Sequence, residues 1–249
     1  MNRCARFFPL GFALVAGVLF AQEPLRAPDG GTTFHVAGVE LLPIQGIPLT
    51  GKSSVQWTRT LEDGSTVTVQ EQANLARDSQ GRMYRERRSF VPVNSDRESP
   101  LTELQFFDPD AKTQTICSAA KRECTVSDYF PRRSFVAARA GSYANGARTL
   151  EREDLGANTI DGLDVTGTRE TTTINAGVVG NDKPLVSTRE FWYSAQLKTN
   201  LMVTRTDPRD GKQVVRLIEF SQSEPDPHTF DIPEGYTVRD ARAAIRVER

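Results

Sequence analysis

Residues 54–75 read SVQWTRTLEDGSTVTVQEQANL, and they decide the fold class. Val55 and Trp57 point to one side of an extended chain, while Ser54, Gln56 and Thr58 point to the other. After Glu62-Asp63-Gly64-Ser65 the pattern repeats, with Val67, Val69, Ala73 and Leu75 against Thr66, Thr68, Gln70 and Gln72. A period of two over this length marks half-buried antiparallel strands. Asp-Gly between two such runs is hairpin chemistry.

Working outward, the same punctuation recurs. Asp78-Ser79-Gln80-Gly81, Asp108-Pro109-Asp110-Ala111-Lys112 and Asp207-Pro208-Arg209-Asp210-Gly211-Lys212 each place turn formers between runs rich in Thr, Val and aromatic residues. Further strands are expected at 82–91, 102–107, 113–118, 123–128, 163–174, 186–193, 200–206 and 213–222. Residues 34–238 are therefore expected to form a single antiparallel β domain. Its class is all-β with minor α, a curved sheet or open half-barrel built from hairpins. Helical signal is thin: residues 128–147 suit a mobile connection with a helical turn, and 239–249 a C-terminal tail or short helix. The longest loops fall at 92–100, 139–147 and 175–184.

The N-terminus supplies the compartment. Arg3 and Arg6 precede an apolar run from Phe7 to Ala21 that contains Pro9, Gly11 and Gly17 and is followed by Gln22-Glu23-Pro24. This is a secretory signal pattern, with cleavage expected after Ala21 and a flexible leader over 22–33. The run is shorter than the roughly 20 apolar residues of a spanning helix, so no transmembrane segment is expected in the mature chain. Its location is expected to be periplasmic or secreted. Cys4 precedes the run, the wrong place for a lipid-anchored cysteine. Cys117 and Cys124 remain, and an even pair in an oxidising compartment reads as a disulfide stapling one hairpin.

The chain has 31 Lys+Arg against 32 Asp+Glu, and cleavage after Ala21 removes two Arg and no acid. A mildly acidic mature protein has no long-range attraction for nucleic acid, so no nucleic-acid partner is expected. With two His only, His35 and His228, in unrelated contexts, no metal site is expected, and no cofactor motif is present. Neither a Gly-x-Ser-x-Gly elbow nor a partner to activate a serine occurs, so the protein is expected not to be an enzyme. The basic run Arg82-Met83-Tyr84-Arg85-Glu86-Arg87-Arg88 reads as a solvated or edge strand.

With strands and turns placed, a resemblance emerges. Leu61-Glu62-Asp63-Gly64-Ser65, Arg77 through Glu86, Glu153-Asp154-Leu155-Gly156 with Ile160-Asp161-Gly162-Leu163, Gly167-Thr168-Arg169, Glu190 through Ser194, and Pro225-Asp226-Pro227 with Phe230-Asp231-Ile232-Pro233 look like a family of uncharacterised secreted bacterial proteins. In layout the chain also resembles the outer-membrane lipoprotein carrier and RseB-like superfamily. That resemblance implies an unclosed antiparallel barrel that holds a lipid or lipidated segment. The chain departs from the superfamily in its near absence of helical lid segments.

The function expected from the sequence is a non-enzymatic binding protein for a lipid, an acyl chain or a lipidated partner. Val55, Trp57, Val67, Val69 and Trp192 are the candidate residues of its apolar concave face. The alternative is a cell-envelope interaction or sensor module that binds a protein partner through an exposed strand edge.

Overall fold

The structure is a computed structural model that describes residues 38–131 and 138–242. The expected hairpins form two meanders. In the first, β1 (Leu49–Thr60), β2 (Thr66–Arg77), β3 (Met83–Arg88), β5 (Leu101–Asp108), β6 (Thr113–Ser118) and β7 (Glu123–Asp128) lie side by side, and the short β4 (Val91–Pro92) returns to pair β2. In the second, β8 (Gly141–Tyr143), β9 (Arg148–Ile160), β10 (Leu163–Ile174), β11 (Leu185–Ser194), β12 (Thr199–Asp207) and β13 (Gly211–Ser221) follow in order. β13 pairs antiparallel with β1, placing Val215 opposite Val55 and Gln213 opposite Trp57. This contact joins the two meanders into one open sheet. β14 (Thr237–Asp240) then adds in parallel to β7.

The Asp-led turns hold for a common reason. Asp63 accepts from the Ser65 amide, Asp78 from those of Gln80 and Arg82, Asp108 from those of Asp110 and Ala111, and Asp207 from that of Arg209. A short carboxylate thus replaces the backbone acceptor that a tight turn removes. β9 and β10 turn through Asp161 and Gly162, both at positive φ (49° and 79°), which suits Asp-Gly.

The sheet curls. Arg77 of β2 donates to the Leu197 carbonyl in the β11–β12 turn at 2.8 Å, reaching past β1 and β13. The face carrying Arg77 is therefore the inner one. By register it also carries Val55, Val215, Val203 and Phe191 in one row. These residues form the main core with Leu49, Leu75, Leu201 and Leu217. Residues 38–48 seal one end: Val39 and Leu42 are buried, and the Thr199 hydroxyl donates to the Glu40 carbonyl at 2.7 Å.

A second core lies on the outer face. Leu104, Phe106, Cys117 and Cys124 are buried there against Tyr84, Leu101, Ile232 and Tyr236. The last two belong to the segment after β13, which crosses behind the first meander, passes through a 3-10 turn at Pro227–Phe230 and ends in β14. Cys117 and Cys124 stand directly opposite on β6 and β7 and form the expected disulfide.

Several expectations need correction. β9 was not read from the sequence, because Glu151-Arg152-Glu153-Asp154 shows no apolar alternation; its pairing partner β10 supplies the order. The strand expected over 82–91 breaks at Ser89-Phe90 into β3 and β4. The basic run is not an edge, since β3 lies between β2 and β5 with its charges paired: Arg85 with Glu40 at 3.1 Å and Arg88 with Glu86 at 2.7 Å. Within 128–147 the chain forms β8, and 132–137 lie outside the described residues. The expected tail or helix at 239–249 begins inside β14, where pairing with β7 outweighs the local helical pattern. Residues 1–37, on which the expected signal sequence and leader, Cys4 and His35 fall, and residues 243–249 lie outside the described residues.

Candidate functional site

The β1–β2 hairpin carries the inner face from the sealed end to an accessible one. Val55 is fully buried beneath the core and forms the floor. Two residues further on, Trp57 is half-buried and faces Val69 across the strand pair. Its indole N–H donates to the Asp210 carbonyl at 2.6 Å, and its ring meets Phe90 edge-on at 6.1 Å. Beyond them Val67, opposite Arg59, keeps 39% of its surface exposed. The Arg59 guanidinium lies 5.0 Å from the centre of the Trp57 ring, a cation–π contact at the open rim.

Four of the five candidate residues therefore share one face. Trp192 does not: it pairs with Met202 and Gly167, on the opposite side of β11 from Phe191. Its ring covers Gly167 so closely that a Cβ there would lie 2.7 Å from it. Adjacent strand residues face opposite sides, and the run Phe191-Trp192-Tyr193, aromatic throughout, gives no sign of which of them faces inward. Phe90 and Arg59 complete the strip in its place.

The alternation that turns Val69 and Ala73 inward also turns in Glu71 and Arg77. Arg77 is fully buried and donates to three carbonyls, those of Ile47 (2.8 Å), Leu42 (3.0 Å) and Leu197 (2.8 Å). Burial pulls its pKa down to about 10, so the guanidinium stays charged at neutral pH. Glu71 is buried opposite Val55, and burial pushes its carboxyl up to about 7 against the pull of Arg87.

Next to Trp57 on the inner face, β13, β12, β11, β10 and β9 bring Gln213, Arg205, Arg189, Glu170 and Arg152 into one polar row. Arg152 pairs with Glu170 at 2.7 Å, and Arg205 lies 3.6 Å from both Asp207 and Asp210. The Arg209 guanidinium holds the Asp207 carboxyl below the usual carboxylate range. The inner face thus carries an apolar strip beside a row of guanidinium groups, of which Arg152 and Arg205 lie against carboxylates. Among the described residues no three His, Cys, Asp or Glu side chains converge as metal ligands. His228 is exposed, and its bond to Asp231 raises its pKa.

No protein-family model matches the sequence, and no curated protein does. Solved structures similar to the chain include the complex of Pseudomonas aeruginosa MucA and MucB, at 9% identity over 75% of this chain and 56% of that one, with a TM-score of 0.37. A crystal structure of MucB is similar at 12% identity over 76% of this chain and 58% of that one, with a TM-score of 0.38. The Mycobacterium tuberculosis lipoprotein LppX is similar at 13% identity over 72% and 90%, with a TM-score of 0.27. The chain spans a little over half the length of the MucB chains. Among the described residues no helix is long and apolar enough to cross a membrane.

Proposed function

We propose that this protein is a non-enzymatic binding protein of the periplasm or the secreted fraction. Its ligand is a lipid, or the acyl chain of a lipidated partner, held on the inner face at the open end of the β1–β2 hairpin. The observation that carries this reading is the strip of Trp57, Val67, Val69 and Phe90. It continues the buried core row of Val55 outward, yet remains half-covered or exposed. Water-exposed apolar surface continuous with a core is a cost that a ligand removes. Each methylene laid on such a strip contributes about 0.8 kcal/mol, so ten of them supply about 8 kcal/mol before entropic losses. Arg59 stands at the rim for the anionic end.

The test uses Trp57 as the reporter. A Trp192→Phe variant leaves Trp57 as the remaining indole of the two in the chain. Titration with palmitate should shift its emission to the blue and saturate near one equivalent, and Val67→Arg should abolish the shift. An unchanged spectrum, or an unchanged response in Val67→Arg, contradicts the reading.

A second reading rests on the β9 edge. β8 pairs β9 only at residues 148–150, and no described strand pairs residues 151–160 on that side. An added strand from a protein partner fits there. The charges of Glu151 through Asp154 and the irregularity near Gly167–Thr168 guard the same edge against indiscriminate pairing. A partner that competes with palmitate for the Trp57 signal would join the two readings; one that binds without affecting it would favour the edge.

A further inference from the structure

Behind the Trp57 strip, on the outer face of the same hairpin, the chain after β4 arches over β2. Gln70, Gln72 and Asn74 stand two residues apart on the outward side of β2, and Lys52 faces Asn74 from β1. Between this floor and the arch lies a cavity of about 520 Å³, bounded on the arch side by Arg97, Glu98 and Ser99. Small-molecule sites span about 300–1,000 Å³.

The arch is anchored. The Val93 amide donates to the Thr68 carbonyl at 3.1 Å, and the Ser89 amide to that of Pro100 at 2.8 Å. Arg88 bonds both the Glu98 carboxylate (2.7 Å) and the Ser99 carbonyl (2.8 Å) from below.

The charges around the cavity are unequal in their freedom. Arg88 is engaged by Glu86 and Glu98, and Lys52 by Glu219 at 2.5 Å. The Arg97 guanidinium has no carboxylate partner among the described residues; its hydrogen bond runs from the backbone amide to the Ser95 hydroxyl at 3.1 Å. Gln70 spends its NH₂ on a long bond to the Val93 carbonyl, and Asn74 bonds Glu86. Gln72, between them, has no partner among the described residues.

A planar guanidinium is matched by a carboxylate, which it can bind through two parallel bonds. Amides both donate and accept, as vicinal hydroxyls do. Glu98 at the rim disfavours a dianion more than a monoanion. We propose that this outer cavity binds an acidic saccharide, with its carboxylate on Arg97 and its hydroxyls on the amides of Gln70, Gln72 and Asn74. The site is separate from the inner face and takes a different class of ligand.

Side-chain amide signals give a direct test. Nitrogen-15 spectra of the protein are recorded during titration with glucuronate, with glucose and with inorganic phosphate, for the wild type and for Arg97→Ala and Gln72→Leu. Glucuronate should move the NH₂ signals of Gln70, Gln72 and Asn74. Glucose should bind at least about tenfold more weakly, and Arg97→Ala should lose a similar factor, as removal of a charged hydrogen bond does. Gln72→Leu should weaken glucuronate several-fold. Unperturbed signals outside the arch establish that each variant is folded. The proposal is overturned if glucuronate at tens of millimolar leaves these amides unmoved, if Arg97→Ala binds it equally well, or if phosphate moves the same signals as strongly as glucuronate.

Discussion

At the Leu49–Arg77 end of the β1–β2 hairpin both facing residues are completely buried, and residues 38–48 and the β11–β12 turn close over them. At the Thr60–Thr66 end of the same two strands Val67 stays exposed and Trp57 half-covered. One pair of strands, in one register, is thus core at one end and a strip of accessible apolar surface at the other. The difference lies in what covers the inner face. The sealed end needs a buried cation with three carbonyl partners to tie separate loops together, and the open end has a cation lying over an indole. With the proposed ligand at the open end, stability and binding are separated along the hairpin, so substitutions at the two ends should have opposite signatures.

The largest expected effect belongs to the sealed end. Arg77→Met removes the donors of three buried carbonyls and should destabilise the fold by about 3–5 kcal/mol in urea unfolding. A cost below about 1 kcal/mol would mean that this end is not the anchor. Reducing the Cys117–Cys124 bridge, far from either end on β6 and β7, should cost about 2.5 kcal/mol from the chain entropy of its short loop. It should leave palmitate binding unchanged, and a parallel loss of binding would break the separation.

Glu71 sits between the two ends and gives the comparison a pH axis. Its carboxyl is held near 7 in the fold against an ordinary value of 4.5, so the folded state binds more protons than the unfolded state between those values. Stability from this group is therefore present below about pH 4.5 and is lost as pH rises through 7. The loss is on the order of 3 kcal/mol. Glu71→Gln should flatten that slope and make the protein more stable than wild type at pH 8; an unchanged slope in the variant would assign the dependence elsewhere. Smallest of all, Val67→Ser at the open end should change stability by less than about 0.5 kcal/mol, as exposed positions do. It should nonetheless weaken palmitate binding measurably, and a variant that binds as well as wild type would remove Val67 from the site.

Much of this was legible in the sequence. Period-two alternation and Asp-led turns located the strands at 113–118, 123–128 and 163–174 with the bounds seen in the structure. The same alternation put Val55, Trp57, Val67 and Val69 on one face. Reading it through polar positions would also have turned Glu71 and Arg77 inward, but a charge on a buried row is discounted unless its partners are known, and those of Arg77 lie 30, 35 and 120 residues away. Trp192 was misplaced because a run of three aromatics has no alternation to give its facing. β9 escaped because a strand exposed along most of its length, and paired on one side alone beyond residue 150, carries no apolar rhythm. The joining of the two meanders by β1 and β13 links residues more than 150 apart, and no local pattern encodes it.

The central claim is that the accessible strip at the open end holds an acyl chain. Native mass spectrometry of residues 22–249, purified from a periplasm without detergent and followed by solvent extraction, tests it most directly. The account predicts one lipid per protein, released on extraction and absent from Val67→Arg. A clean ligand-free mass that stays clean after incubation with membrane lipids would contradict it.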